Sequence, residues 1–530
     1  MPTPVNAERL ERWLYDYDPD LKQFVVDGFT FGFNLGFEGI SNQNINIRNL
    51  NSTLLHPMVC QNIIEKELSL NRFLGPFEVI PFEHFNINPM GVVPKKEKGS
   101  FRLIIDLSQP KNNSINSGIP EDYSKVKYSS LYTAIDLIIQ CGPGAYMAKS
   151  DVESAFRLLP ISPDQYHLLG FSFNNLFYFD KCLPMGASSS CFLFEKFSSS
   201  LEFIAIKAGV SLVTHYLDDF FFTNSTFEDC NKDLSIFQSV CKDINIPLSS
   251  KKTVGPTQIL SFLGFEIDTI AETVRLPQDK VDKCLAWINW MLVRKQCQLK
   301  DMQSLLGLLN FTCTVIRPGK AFLNRLYQLT AHITKSFHYI RLSSDCKKDL
   351  RMWLLFLNNY NGVTLYKHEL FIDSDTSHLY ADACKTCGFG AYFQTHWFSL
   401  SYPSDWYREQ NITLLELLPI VLGIEAWKDA LVNKTLIIHT DNQPIFEVIN
   451  RQTSKEQLVM LLIRKLVLIC VYNNIYIKAQ HISGIDNYLA DDLSRFQVNS
   501  FKKKFPNADL NPTQVPSLPD WLSCDVDLWN

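Results

Sequence analysis

Residues 211–224 read SLVTHYLDDFFFTN, two apolar runs of strand character around an adjacent pair of carboxylates. That pattern predicts a β-hairpin whose turn presents Asp218 and Asp219. An Asp-Asp pair in a turn is ordinarily a solvated feature. What changes the reading is Asp151, at the end of another strand-like run, AYMAKSD, ahead of a Phe-containing turn. Two strand ends in one sheet would gather three acids, and a pair of carboxylates about 4 Å apart repels by roughly 4 kcal/mol at an effective dielectric near 20. Such a nest calls for a divalent cation or a proton. Mg²⁺ suits it, since that ion takes one or two carboxylates and completes its shell with water and phosphates.

Outward from the hairpin, residues 145–270 alternate strand-like and helical stretches, an α+β pattern. The helical run SSCFLFEKFSSSLEFIAIKAG (189–209) repeats its apolar residues every three to four positions. Short apolar segments at 76–107 (PFEVIPF, MGVVPKK, FRLIIDL) precede it, the last two joined by the charged turn KKEKGS. Residues 276–370 are mainly helical and end near the turn signal Asn361-Gly362; residues 371–498 alternate strands and helices once more. The expected organisation is therefore an N-terminal extension of unread role (1–70), an α+β unit (71–275), a helical segment (276–370), an α/β unit (371–498) and a loose tail (499–530).

The chain has 530 residues, 46% apolar and 20% charged, with 50 Lys+Arg against 55 Asp+Glu, so it should fold into several cores and has no global basic field. Its 14 cysteines are scattered; Cys384 and Cys387 form a lone CxxC without a second pair, and read as reduced thiols. The start, MPTPVNAERLERWLYDYDPD, has no apolar signal core, and LVMLLIRKLVLICVY (458–472) is interrupted by Arg464 and Lys465. These features predict an intracellular protein, in cytoplasm or nucleus, without a membrane.

In the α/β unit, Asp382 lies within LYADA, Glu416 in the helical run TLLELLPIVLGI, Asp441 at the end of the strand IIHT and Asp491 in ADDLSR. An acid is usually solvated, yet Glu416 is flanked by Leu414, Leu415, Leu417 and Leu418, an expensive place for an unpaired charge.

The blocks DVESAFRLLPI, LPMGASSSCFLFEKF, YLDD and LSFLGFEI, in that order after VPKKEKGSFRLIIDLSQPKN, resemble the palm and fingers of a reverse transcriptase. The resemblance implies a right-hand polymerase with a helical thumb and connection, adding dNTPs to a primer by two-metal nucleotidyl transfer. It implies Asp151 and Asp218 as metal ligands with Asp219 more peripheral, and Lys95 and Arg102 closing on the triphosphate. Phe156 would abut the sugar C2′ and favour dNTP over NTP. Met185 and Gly186 would form the turn beside the nucleotide, Met185 departing from the Gln of several retroviral enzymes. Phe262, Leu263 and Gly264 would grip the primer, and Lys251 or Lys252 would protonate the leaving pyrophosphate.

ADACKTCGFGAYF, LLELLPI, TDNQPIFEVIN and NYLADDLSR likewise resemble a retroelement RNase H domain. The implied metal ligands are Asp382, Glu416, Asp441 and Asp491, with His481 near the scissile phosphate and Asp492 a competing ligand. Two Mg²⁺ ions per site, Mn²⁺ substituting, would cut the RNA strand of an RNA:DNA hybrid. The stretches 154–173 and 179–197 look most like the DIRS group of tyrosine-recombinase retrotransposons, with gypsy-like and pararetroviral groups as competitors. Partners would be an RNA template, a DNA primer, the hybrid and dNTPs, with an element-encoded recombinase or coat protein beside them. The alternative is a domesticated, non-catalytic nucleic-acid-binding or scaffold protein assembling through its N-terminal segment.

Overall fold

The computed structural model describes residues 1–39, 47–95, 99–360, 364–365, 376–402 and 410–516. The turn signal Asn361-Gly362 and the boundary near 370 lie outside them. The chain forms two compact units, residues 1–263 with 267–272, and residues 264–266 with 273–530.

The first unit is built around a four-stranded antiparallel sheet in the order Val213–Tyr216, Asp219–Asn224, Tyr146–Asp151, Val254–Thr257. Phe220, Phe221 and Phe222 are fully buried in succession, so this strand is packed on both faces and reads as a continuous apolar run instead of an alternation. The helices Ser190–Lys207 and Phe227–Asp243 cover the sheet. The second helix starts where the Thr226 side chain accepts from Asp229 N, with Glu228 and Asp229 favourably placed in its first turn. The hairpin Met90–Pro94 with Phe101–Ile105 stands on the N-terminal side of this core, and its tip, 96–98, lies outside the described residues.

The N-terminal 70 residues are part of that core. Leu10, Leu14, Val25 and Phe29 join the main apolar cluster, Asn6 N donates to Ile244 O at 3.0 Å, and Trp13 Nε1 donates to Asp243 at 3.0 Å. The segment left unread in the sequence thus places part of its apolar side chains in the unit's core, while Tyr15, Phe31, Leu54, Leu55 and Met58 stay exposed. Deeper in, Arg157 pairs with Asp180 (2.6 Å) and Glu67 (3.1 Å), tying the helix Pro57–Ser69 to the interior.

The second unit opens with the helices Gln278–Leu292, Leu299–Thr312 and Ser344–Tyr360, the helical segment expected there. A five-stranded sheet follows in the order His396–Ser401, Gly388–Phe393, Ser377–Ala383, Thr435–Thr440, Tyr476–His481. The first three strands are antiparallel and the last two join in parallel. Residues 377–393 form two of these strands, because Cys384–Cys387 turns the chain back on itself. Helix Ile412–Leu431 is apolar around most of its circumference, and thirteen of its residues from Leu414 to Leu431 are buried.

The interrupted apolar run at 458–472 is a buried helix, where Arg464 Nη2 reaches Asp349 at 3.3 Å. No helix among the described residues is long and apolar enough to cross a membrane. The tail expected from 499 begins as the helix Val498–Lys504, whose Phe501 is fully buried between Trp397, Tyr392 and Phe505. The described cysteines are all free thiols, as their scatter predicts. Replacing Arg157 by Ala leaves Asp180 buried without its cation; the expected cost is about 3–5 kcal/mol, read as a lowered midpoint in urea unfolding.

Candidate active sites

Strand register assembles the first site. Asp151 is the cross-strand partner of Asp219, and Val152 N donates to Asp218 O at 3.0 Å, so the end of one strand meets the turn of the neighbouring hairpin. Leu217 takes a φ of +52°, the left-handed region that a non-glycine residue enters at about 1–2 kcal/mol, and this tight turn sets Asp218 at its tip. Burial, then the charges of Asp151 and Asp219, push Asp218 up to about 6; burial and Asp151 likewise raise Asp219. Crowded carboxylates in a low-dielectric setting resist ionisation until a cation arrives.

Positive groups already face this nest. Lys252 Nζ donates to Asp151 Oδ1 at 2.7 Å from a turn docked on the strand by Ser249 N to Asp151 O (2.8 Å). Both candidate lysines are exposed, and it is Lys252 whose Nζ reaches Asp151. Lys149, which the sequence reading missed, lowers Asp219 by its charge and donates to Ser261 O at 2.8 Å. Beneath the hairpin, buried His215 lies against Glu202 and 3.2 Å from Glu195, both on the helix behind the sheet. Burial opposes its charge, but the two carboxylates outweigh burial and raise it to about 9. His215 is thus a protonated clamp between that helix and the strand leading to Asp218.

The remaining expected residues surround this edge of the first unit. Phe156 is half-buried, edge-on to Phe194 at 5.2 Å. Met185 is exposed, and a Cβ on Gly186 would meet Ile105 O at 2.5 Å, which explains the glycine. Asn116, also missed, holds this turn through Gly186 O and Ser188 N, both at 2.9 Å. Lys95 and Arg102 are exposed on the hairpin at either side of its tip. Phe262 is buried against Phe221, and Leu263 (φ +48°) with Gly264 (φ +82°) forms a tight two-residue turn.

In the second unit, Asp382, Glu416 and Asp441 bring one carboxylate oxygen each to within 4.8 Å of one another. Asp382 comes from the central strand, Glu416 from the apolar helix and Asp441 from just beyond Thr435–Thr440. Burial, then Asp382 and Asp441, drives Glu416 well above the usual carboxylate range; burial with Asp441 and Asp491 brings Asp382 to about 6, against the Ser494 hydroxyl that lowers it. An all-oxygen set so placed fits a hard divalent cation.

Asp491 stands outside that triad, its Oδ1 taken by Arg495 Nε at 2.7 Å, though its charge is felt at Asp382. Asp492, the competing candidate, is buried and engaged by Lys504 (2.7 Å) and Ser500 (3.0 Å). His481 is exposed, with Nε2 3.2 Å from Asp441 O. Asn487 was overlooked. It is buried and donates to Ala381 O (3.1 Å) and Asp441 Oδ1 (3.5 Å), joining two of the acid-bearing segments. Both thiols of the CxxC turn contact Thr386 Oγ1, at 3.4 and 3.7 Å, and neither belongs to the acidic group.

Residues 93–267 match the family model described as reverse transcriptase (RNA-dependent DNA polymerase). Among curated proteins, the Pro-Pol polyprotein of feline foamy virus is 24% identical over 275 residues, 51% of this chain and 21% of that protein. Protein P of ground squirrel hepatitis virus (strain 27) is 31% identical over 154 residues, 29% of this chain and 17% of that protein. The chain spans about a fifth of the length of these curated relatives. A structure of the foamy viral protease-reverse transcriptase dRH in complex with ds DNA aligns at a TM-score of 0.50 and 15% identity, covering 91% of this chain and 82% of that one. The likeness is one of fold: an α+β right-hand polymerase with a helical connection and an RNase H-like α/β domain.

Two outcomes follow from the charges. Because the second-unit acids must shed protons to hold a cation, Mg²⁺ or Mn²⁺ binding should release protons and weaken as pH falls from 8 to 5.5, measured calorimetrically in buffers of different ionisation enthalpy. His215 is raised above its ordinary value near 6.5, so its stabilisation is complete below that pH and lost as pH rises through about 9. Urea midpoints of the wild type should therefore fall over that interval, and His215→Gln should flatten the decline.

Proposed function

We propose that the chain is an RNA-directed DNA polymerase with an associated RNase H activity, as a retroelement enzyme combines them. The observation that carries the reading is the register pairing of Asp151 with Asp219 beside the Asp218 turn, inside the stretch that matches the reverse transcriptase family. A binding protein gains nothing from packing three carboxylates against one another; a phosphoryl-transfer site does, because divalent ions then bind there with substrate phosphates.

In this reading Asp151 and Asp218 hold Mg²⁺, with Asp219 at the rim. The ions, when bound, acidify the primer 3′-hydroxyl and steady the departing pyrophosphate. The chain's own residues do the rest. Lys95 and Arg102, exposed at either side of the hairpin tip, meet the triphosphate, and Arg102 can fork two phosphate oxygens. Phe156, held edge-on by Phe194, fills the space a 2′-hydroxyl would need, selecting dNTPs. The Gly186 turn lets nucleotide and template approach closely, Met185 offering bulk without a hydrogen bond. The primer terminus rests on Phe262, Leu263 and Gly264. Lys252 delivers a proton to pyrophosphate after letting go of Asp151.

The triad Asp382, Glu416 and Asp441 holds the ions of the RNase H site, with Asp491 completing the set once released from Arg495. His481, exposed beside Asp441, attends the scissile phosphate. An RNA template, a DNA primer and their hybrid are the macromolecular substrates, gripped through local basic surface because the net charge is −5. The DIRS-like assignment, with an element-encoded recombinase or coat protein as partner, rests on the sequence of residues 154–173 and 179–197 and of the helical connection DLRMWLLFLNNYNG (349–362). The relatives named above, the Pro-Pol polyprotein of feline foamy virus and Protein P of ground squirrel hepatitis virus, do not bear on that assignment.

Purified protein should extend a primed RNA template with dNTPs and Mg²⁺ and cleave the RNA of a hybrid. Asp218→Asn should abolish extension and spare cleavage, whereas Asp441→Asn should do the reverse, each with an unchanged circular dichroism spectrum. Extension undiminished in Asp218→Asn removes the assignment; loss of both activities in either variant removes the separation of the two sites.

A further inference from the structure

The second unit contains a cavity of about 340 Å³ whose lining includes none of Asp382, Glu416, Asp441 and Asp491, with Asn324, Arg325, Gln328, Ser343, Lys455 and Arg464 on its walls. Three features of it point to an anion. Helix Ser344–Tyr360, 17 residues long, opens its N-terminal end here: Ser343 and Cys346 line the cavity, and Ser343 Oγ accepts from Cys346 N at 3.2 Å. The first turn of a helix carries unsatisfied N–H groups and about half a positive charge.

The second feature is a shared counter-ion. Buried Asp349 receives Arg325 Nη1 on one oxygen (3.2 Å) and Arg464 Nη2 on the other (3.3 Å), so one carboxylate serves two guanidinium groups. Arg464 is only 4% exposed and its Nε has no hydrogen-bond partner. A buried donor left unmade costs about 1–3 kcal/mol, and more when charged. Burial, with a smaller contribution from Arg325, lowers the proton affinity of Arg464 in spite of the opposing charges of Asp349 and Asp345.

Third, the lining charges do not cancel. Arg325, Lys455 and Arg464 face Asp345 and Asp349, leaving one positive charge before the helix end is added. The sum approaches that of a phosphate monoester, which carries −1.5 to −2 near neutral pH. A volume near 340 Å³ lies at the lower end of small-ligand pockets, about 300–1,000 Å³, which admits one phosphorylated nucleoside and excludes a duplex.

We propose that this cavity is a binding site for a terminal phosphate monoester of nucleotide size, Arg464 and Arg325 forking its oxygens, Lys455 meeting it at the mouth, and Gln328 contacting the attached nucleoside. The same chemistry is offered by a free nucleoside monophosphate and by the 5′-phosphorylated end of a single strand. Neither depends on the polymerase or hybrid-cleaving activities.

Calorimetry in EDTA, which keeps divalent ions from the acidic sites, is the test, with inorganic phosphate, deoxyadenosine monophosphate and a ten-nucleotide strand bearing either a 5′-phosphate or a 5′-hydroxyl. One saturable monophosphate site per chain is expected, displaced by inorganic phosphate and weakened about tenfold, or 1.4 kcal/mol, in Lys455→Ala. Arg464→Met should abolish it. If the 5′-phosphorylated strand competes and its 5′-hydroxyl twin does not, the ligand is a strand end; competition by mononucleotide alone identifies the free nucleotide. Should Arg464→Met fail to fold, Lys455→Ala and Gln328→Ala, on side chains that bear no buried charge, decide the matter. No saturable phosphate binding, or binding equal to wild type in those two variants, overturns the proposal.

Discussion

The repulsion between carboxylates that the fold forces together is the constraint on which both sites depend. In the first unit it arises from strand register, Asp151 facing Asp219; in the second it arises where a strand, a helix and a strand end bring Asp382, Glu416 and Asp441 into one small volume. Neither arrangement stabilises the fold, since burial raises the cost of each charge. The surrounding apolar packing must supply the difference: three consecutive buried phenylalanines behind Asp219, and the leucines on both sides of Glu416. Acids held so firmly cannot spread apart to relieve one another, which leaves each group pre-arranged in the way a divalent cation would need.

The two sites are held by different means. The first is framed by cations, Lys252 on Asp151, Lys149 beside Asp219 and the protonated His215 beneath. The second is framed by neutral donors, Asn487 to Asp441 and Ser494 to Asp382. Cationic framing offsets charge while leaving the lysines free to move toward phosphate. Neutral framing fixes position without competing for the ion, and there the acids' proton affinity stays highest, at Glu416.

Much of this was legible from residue order. The hairpin around Asp218 and Asp219, the strand ending in Asp151 and the apolar flanks of Glu416 follow from patterning, because a turn dipeptide between β-rich runs and a charge among leucines are local signals. Distant contacts were not legible. Nothing local marks Asn116 as the residue holding the Gly186 turn, Asn487 as a link between two acid-bearing segments, or Lys252 over Lys251, since each depends on a partner dozens to about a hundred positions away. The N-terminal residues stayed unread for a related reason: only the packing of Leu10, Leu14 and Val25 into the main core discloses where their helices belong. Phe501 was lost in the same way, a single aromatic in a lysine-rich stretch whose pocket is formed by Tyr392 and Trp397.

Arg464 also bears on how this polypeptide can be divided. It belongs to the RNase H-like fold by sequence position, yet its counter-ion, Asp349, sits on a helix that precedes that fold. A fragment cut between them would carry a buried guanidinium without its carboxylate. The RNase H-like half is therefore not a freely transplantable module: a shuffled or recombinant version has to bring Ser344–Tyr360 with it, or replace Arg464 by an uncharged side chain, to avoid burying that charge alone.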